Sequence, residues 1–330
     1  MAKFQTNLVH EAKGAAQEAD VKWRVFETGW PNIEFQAGDS IHGKHAVFLG
    51  SLFKPESLMH QLSVCIALPR NHIRSLSIVF PFFGPGTMER VDKEGMLASA
   101  ETLAKLISAP LSPAIAGIPT VVIYDIHALQ ERFYFTDNVR LRLVSALPIL
   151  MEKLKADSVR TVAVFPDDGA AKRFGKHVEL PYLVCGKVRD KDERYIRILD
   201  SVGLEIDTTK LRLKAADPDH GGIFTPEDAQ CRFLIIDDLV NSGGTLVRCA
   251  EALRLNGAGR IDAYCTHAVF GHDSFTNFAP GAKFAGVFDT FFVTNSIPEV
   301  ALRLSSPPFQ VLDLTPHMWD VLQDLAASHN

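Results

Sequence analysis

Apolar residues recur along this chain as short, nearly unbroken runs: HAVFLG (45–50), SLSIVFPFF (75–83), TVVIYDI (120–126), RTVAVFP (160–166), YLVCGKV (182–188), RFLIIDDLV (232–240) and IDAYCTHAVF (261–270). Runs of this length, rich in Val, Ile and Phe, predict strands buried on both faces, as in a parallel sheet with helices on either side. Between them, EGMLASAETLAKLISA (94–109) places Met96, Leu97, Ala100, Leu103, Ala104 and Ile107 close to i, i+3, i+4 spacing, which predicts an amphipathic helix. VRLRLVSALPILMEKLKA (139–156) reads as a second helix, bent or broken by Pro148, and GTLVRCAEALRLNGAG (244–259) as a third, ending at Gly257. Strands alternating with helices indicate βαβ units and an α/β fold. Residues 189–230 are highly charged and contain DPDHGG (217–222); they read as irregular, a mobile loop plus an insertion.

The chain has 330 residues, too many for one ordinary domain and suited to two, with a plausible junction at 145–160. A net charge of −5 and a pI near 6.2 argue against a general nucleic-acid binder, which is usually basic, but leave room for a local basic pocket. No apolar run approaches the ~18–20 residues that span a bilayer. The first 20 residues lack an apolar signal core, so a cytoplasmic location is expected. Cys65, Cys185, Cys231, Cys249 and Cys265 are scattered and form no CxxC pair, which predicts buried structural thiols. No GxGxxG follows a strand, so a dinucleotide-binding dehydrogenase is poorly supported.

FLIIDDLVNSGGTL (233–246) is the most informative segment. An apolar strand ends in Asp237 and Asp238, a tight loop follows through Asn241, Ser242, Gly243, Gly244 and Thr245, and a helix begins. Glycines let backbone approach a ligand, and successive amides at a helix start bind anions. Two carboxylates beside such a loop can accept from sugar hydroxyls or hold a hydrated metal, and ligands of open α/β sheets bind beyond the carboxyl ends of strands. A generic glycine-capped turn would not require the acidic pair, hydroxyls and double glycine in this order. The run resembles the phosphoribosyl-diphosphate motif of type I phosphoribosyltransferases, with Asn241-Ser242 where that motif usually has Asp-Thr.

Four further segments narrow the resemblance to ribose-phosphate diphosphokinases (phosphoribosyl diphosphate synthetases), spanning nearly the whole chain. VVIYDIHALQERFYF (121–135) is similar to that family's strand ending in Asp-x-His, which implies His127 beside the transferring diphosphate and a magnesium ion. A strand-end histidine can donate to a phosphoryl oxygen or ligate a metal, although a lone one is more often structural. VFPDDGAAKRF (164–174) resembles the family's Pro-Asp-x-Gly segment and implies Asp167 as a metal or ribose contact; for Asp168 an Asp-Gly turn competes. In CGKVRDKDER (185–194), Lys187 and Arg189 match the Lys-x-Arg of a flexible catalytic loop, where cations would stabilise charge built up as AMP is displaced. VFPFFGPGTMERVDKEG (79–95) sits where the family grips ATP, but Gly84-Pro85-Gly86-Thr87 replaces the basic residues. This variant looks like the plant-type (class II) branch, and leaves Thr87, Glu89 and Arg90 as candidate nucleotide contacts. FETGWPN (26–32) resembles a loop that reaches the adenine of a neighbouring subunit, which implies Phe26 and Trp30.

The resemblance implies two tandem type I phosphoribosyltransferase-like domains, each a mainly parallel sheet flanked by helices. Residues 1–150 would form the nucleotide-side domain and 151–305 the ribose 5-phosphate domain, with the last ~20–30 residues returning to the first domain as in that family. It also implies Mg2+, a nucleoside triphosphate and ribose 5-phosphate as small-molecule partners, a homo-oligomer, and no nucleic acid or membrane. Ribose 5-phosphate would lie on Asp237, Asp238 and residues 241–245. A type I phosphoribosyltransferase and a non-catalytic regulatory homologue are the competing readings.

Overall fold

The computed structural model describes residues 8–12, 15–18, 21–35, 41–157, 159–190, 193–202, 224 and 230–327. The chain divides into two compact units, Met1–Ser145 with Thr315–Asn330, and Ala146–Leu314, rather than at 150/151 and 305.

The first unit contains strands β1 (Leu8–Ala12), β2 (Ala15–Glu18), β3 (Val21–Val25), β4 (Pro31–Phe35) and β5 (His45–Leu49), then helix α1 (Leu58–Arg70). Strand β6 (Ser75–Phe80), helix α2 (Ser99–Ser108) and strands β7 (Thr120–Tyr124) and β8 (Arg140–Val144) follow. One sheet runs β2-β1-β5-β6-β7-β8; β5 to β8 are parallel, while β1 is antiparallel to both its neighbours. Strands β3 and β4 form a separate antiparallel hairpin. Every position of β6 and β7 is buried, as a sheet covered on both faces requires. The core gathers Phe48, Leu68, Ile78, Phe80, Val121 and Ile123, each worth about 1.5–3 kcal/mol when withdrawn from water.

The second unit begins with helix α3 (Leu147–Lys155), strand β9 (Thr161–Phe165) and helix α4 (Asp168–Phe174). It continues through β10 (Tyr182–Asp190), β11 (Glu193–Val202), β12 (Arg232–Val240), helix α5 (Gly244–Leu255) and β13 (Arg260–Ala268). Strand β14 (Thr290–Thr294), the short helix α6 (Pro298–Ala301) and strand β15 (Phe309–Leu312) complete it. The sheet order is β11-β10-β9-β12-β13-β14-β15, parallel except for β11. From β9 the chain runs outward to β10, while from β12 it runs the other way to β13, so the strand order reverses between β9 and β12. A crevice opens beyond the carboxyl ends of strands at such a reversal. At the opposite, amino edge the buried Arg232 bonds Asp157 and reaches Asp262 at 2.9 Å, which ties three segments together away from that crevice. Helix α7 (Thr315–Ala327) belongs to the first unit, where Tyr124 Oη and His317 Nδ1 lie 3.2 Å apart.

Four sequence expectations change. The helix expected over 94–109 starts at Ser99, because Gly95 turns the chain at φ +84 and leaves Met96 and Leu97 exposed. The helix expected over 139–156 is a strand followed by a helix: RLRLV alternates with period two, and Pro148 lies in the first turn of α3, where a missing N–H is tolerated. The strand expected over 261–270 stops at Ala268, and Phe270 takes a left-handed φ of +41. The irregular stretch expected from residue 189 is a hairpin over 182–190 and 193–202, formed by a run rich in Tyr, Ile and Val; 203–223 and 225–229 lie outside the described residues. All five cysteines are free and buried, as expected.

Candidate active site

In the second unit, β9 and β12 deliver chemistry to the crevice between them. Asp167, directly after β9, caps α4 by accepting the Ala170 N–H at 3.0 Å. Asp168 instead pairs with Lys172 one turn along, both well exposed, so it is part of a solvated helix face. The strand expected to end in Asp237 and Asp238 continues to Val240, and these two successive residues of β12 face different surroundings, as successive strand positions must. Asp238 is buried, and its Oδ2 lies 3.0 Å from Nη1 of Arg173 on α4, itself nearly buried. Asp237 is partly exposed and accepts the Asp238 N–H at 2.9 Å. Burial first, then the Asp238 charge, its hydrogen bond and the Asp167 charge push the Asp237 carboxyl well above the usual carboxylate range. The crevice therefore holds more negative charge than it can comfortably carry, and a cation or a hydroxyl donor would relieve it.

The loop from β12 to α5 supplies the opposite polarity. Gly243 sits at φ +78, ψ −4 and begins α5, where the first amides lack intrahelical partners. A Cβ there would fall 2.5 Å from Cζ of Phe278, so both the conformation and the packing demand glycine. Ser242 is exposed and Thr245 half-buried, and the Gly244 N–H lies 3.4 Å from Ser242 Oγ. Asn241 is otherwise engaged: its Oδ1 accepts the Gly271 N–H at 3.0 Å and its carbonyl accepts Ser274 Oγ at 2.5 Å.

Lys187 and Arg189 lie on β10 beyond its last pairing with β9, opposite Ile196 and Arg194 of β11. Their side chains lie outside the described residues. The parallel pairing ends at Val184–Phe165 and a register shift follows, so the hairpin arm continues past the sheet edge that carries the crevice.

In the first unit, β7 ends in Asp125, held at φ +34, and leads to the half-buried His127. His127 lines a pocket of about 450 Å³ with Thr87, Glu89, Arg90, Met96 and Leu97. The pocket thus brings together His127 and the three residues expected near the nucleotide from 79–95. Arg90 Nε bonds Glu89 Oε1 at 2.8 Å, and Tyr134 Oη bonds the Glu89 carbonyl at 2.8 Å. Met96 and Leu97 were missed as pocket residues because their spacing suited a helix stripe; the glycine before them was the available signal. Phe26 and Trp30 form the exposed tip of the β3–β4 hairpin, closed by bonds between Phe26 N–H and Trp30 O at 2.9 Å and between Gly29 N–H and Phe26 O at 2.8 Å. Neither lines the pocket.

Arg173 was not legible as a site residue, since its partner lies on another element. Among the described residues no three His, Cys, Asp or Glu side chains are grouped to hold a metal unaided. Mg2+ usually takes one or two carboxylates and completes its shell with water and substrate phosphates. The crowded carboxylates around Asp237 fit such an ion. No helix of the described residues is long and apolar enough to cross a membrane.

No family model matches the chain. It is 40% identical over 310 residues to ribose-phosphate pyrophosphokinase 4 of Oryza sativa subsp. japonica, covering 92% of this chain and 87% of that protein. It is 39% identical to the mitochondrial ribose-phosphate pyrophosphokinase 3 of Spinacia oleracea, over 94% of this chain and 71% of that one. The crystal structure of phosphoribosylpyrophosphate synthetase from Mycobacterium smegmatis superposes with a TM-score of 0.70 at 20% identity, covering 94% of this chain and 92% of that one, and shows a shared fold.

Proposed function

The chain belongs to the ribose-phosphate pyrophosphokinase family, and from that premise we propose that it transfers the β,γ-diphosphate of ATP, or of another nucleoside triphosphate, to the anomeric hydroxyl of ribose 5-phosphate. The observation that carries this reading is the crevice of the second unit, where the amides that open α5 follow the Asp237 carboxyl by a short glycine turn. The 5-phosphate would take the amides of 242–245 with the hydroxyls of Ser242 and Thr245, and Asp237 would accept from the ribose hydroxyls. Asp238 would contribute through Arg173, keeping α4 and its cap residue Asp167 in register with β12. The pocket of the first unit would hold the triphosphate, with His127 donating to a phosphoryl oxygen or to its metal shell and with Thr87, Glu89 and Arg90 beside the nucleotide.

In the reaction the anomeric oxygen bonds to the β-phosphorus as the bond from that phosphorus to the α,β-bridging oxygen breaks. AMP leaves with the electron pair, and the hydroxyl proton passes to water. Bound Mg2+ would neutralise phosphate charge, with Asp167 and Asp237 as its protein contacts in the second unit. Lys187 and Arg189, on the arm beyond the sheet edge, would stabilise charge on the transferring group and exclude water. No general base is required of the protein if the transition state is loose.

The exposed aromatic tip of Phe26 and Trp30 supports a homo-oligomer in which that tip docks on a second copy, readable by sedimentation. We propose a cytoplasmic location, tested by imaging a tagged full-length protein; the relatives include proteins named mitochondrial and chloroplastic. The deciding experiment is AMP release from a triphosphate and Mg2+, with ribose 5-phosphate omitted in the control. Sugar-dependent AMP supports the reading. A folded protein that releases none with any triphosphate defeats it and favours a non-catalytic regulatory role.

A further inference from the structure

Resting on the reading above, we infer that Asn241 is a positioning residue: it pins the segment 270–278 to the phosphate-binding loop. Its side chain is exposed, yet its oxygen already accepts a backbone N–H across the loop. Asn241 Oδ1 accepts the Gly271 N–H at 3.0 Å, and the Asn241 carbonyl accepts Ser274 Oγ at 2.5 Å. The approach is close enough that a Cβ on Gly271 would stand 2.7 Å from Asn241 Oδ1.

The pinned segment is a 3-10 turn, Gly271–Phe278, interrupted by left-handed backbone. Phe270, His272 and Asp273 take φ values of +41, +53 and +57, left-handed positions that non-glycine residues adopt only when their surroundings impose them. Three restraints do so. Asn241 fixes the start of the segment. Arg303 bonds Asp273 at 2.6 Å and lies 4.7 Å over the Phe275 ring. Phe270 and Phe278 pack edge-on against Phe291 at 6.0 and 5.6 Å. The far end then returns to the loop, because the Phe278 ring fills the space a Gly243 side chain would need. The segment thus grips the phosphate loop at both ends, by hydrogen bonds at residue 241 and by packing at residue 243. The conformation of 241–244, and with it the direction of the first amides of α5, depends on that grip.

The Gly271 N–H needs an acceptor, and either an amide oxygen or a carboxylate would serve.

The test uses the full-length protein without substrates for amide exchange, and with ATP, Mg2+ and ribose 5-phosphate for kinetics. Asn241→Ala should lose exchange protection across 271–275 and raise KM for ribose 5-phosphate about tenfold, the worth of roughly one hydrogen bond, while KM for ATP stays put. Asn241→Asp, which keeps the acceptor, should restore protection and recover part of the KM. Ser274→Ala removes the second bond from outside the loop and should shift both readouts in the same direction. The inference fails if Asn241→Ala leaves 271–275 protected, or if Asn241→Asp exchanges as freely as Asn241→Ala. If the wild-type protein releases no AMP, the functional reading falls, whereas exchange alone still decides whether Asn241 is the pin.

Discussion

Breaking the ion pair between Arg173 and Asp238 should cost far more stability than an ordinary surface bridge. The pair joins α4 to β12 with N and O 3.0 Å apart and side-chain exposures of only 12% and 4%. Exposed pairs contribute about 0–1 kcal/mol, but removing one partner of a buried pair strands the other charge and costs about 3–5 kcal/mol. For a unit of this size roughly 1 kcal/mol corresponds to 2–4 °C, so Arg173→Met or Asp238→Asn should each lower its Tm by about 6–20 °C. The informative variant is the double replacement Arg173→Met with Asp238→Leu, which strands no charge. It should recover most of the loss, because apolar substitutes of similar volume are often no worse than the buried pair they replace. Calorimetry on the four proteins gives the coupling directly. Additive losses, or single variants within a degree of wild type, would refute the view that Asp238 acts through Arg173. Should the double variant be stable and still fully active, Asp238 would have no part in holding α4 and Asp167 for catalysis.

Three other outcomes are expected. Lys187→Ala should lower kcat by orders of magnitude with a smaller change in KM; an unaltered kcat removes Lys187 from the chemistry. Gly243→Ala meets both a φ of +78 and the Phe278 ring 2.5 Å away, so thermal denaturation should register a loss of about 2 kcal/mol or more and KM for ribose 5-phosphate should rise, with an unchanged melting curve the contrary result. The Asp237 carboxyl is raised in the folded protein, so the native state holds its proton longer than the unfolded chain does. Its stabilising contribution is complete below the ordinary carboxylate value of 3.8 and is lost as pH rises through the elevated native value. In metal-free buffer Asp237→Asn should therefore raise Tm at neutral pH, with the gain shrinking on acidification, and a pH-independent gain would argue against the crowding of charge.

The strands were legible because burial on both faces writes itself into composition: β6, β7 and β9 are buried at every position and carry no charged residue, their small polar side chains being Ser75, Ser77, Thr120 and Thr161. The turn from β12 into α5 was legible because its acid, hydroxyl and glycine residues are contiguous, falling within 237–245. Where reading failed, the deciding partner lay elsewhere in the chain. Arg140 to Val144 passed for helix because Leu147 to Lys155 behind it is one, and the period-two pattern was too short to stand out. Met96 and Leu97 had helical spacing, but Gly95 turns the chain before them and the helix begins only at Ser99, which leaves them as pocket wall.

The same logic separates residues that sequence grouped together. Asp237, Asp238 and Asn241 stand within five positions and read as one ligand-binding run. Folding distributes them: Asp238 goes to an arginine on α4 and Asn241 to the backbone of residue 271, which leaves Asp237 partly exposed in the crevice. Two of the three polar residues thus bond to other elements of the fold. An exposed, chemically suitable side chain in a motif is therefore weak support for ligand contact until its hydrogen-bonding capacity has been counted. Asn241 shows why, since solvent reaches it while its oxygen already accepts the Gly271 N–H.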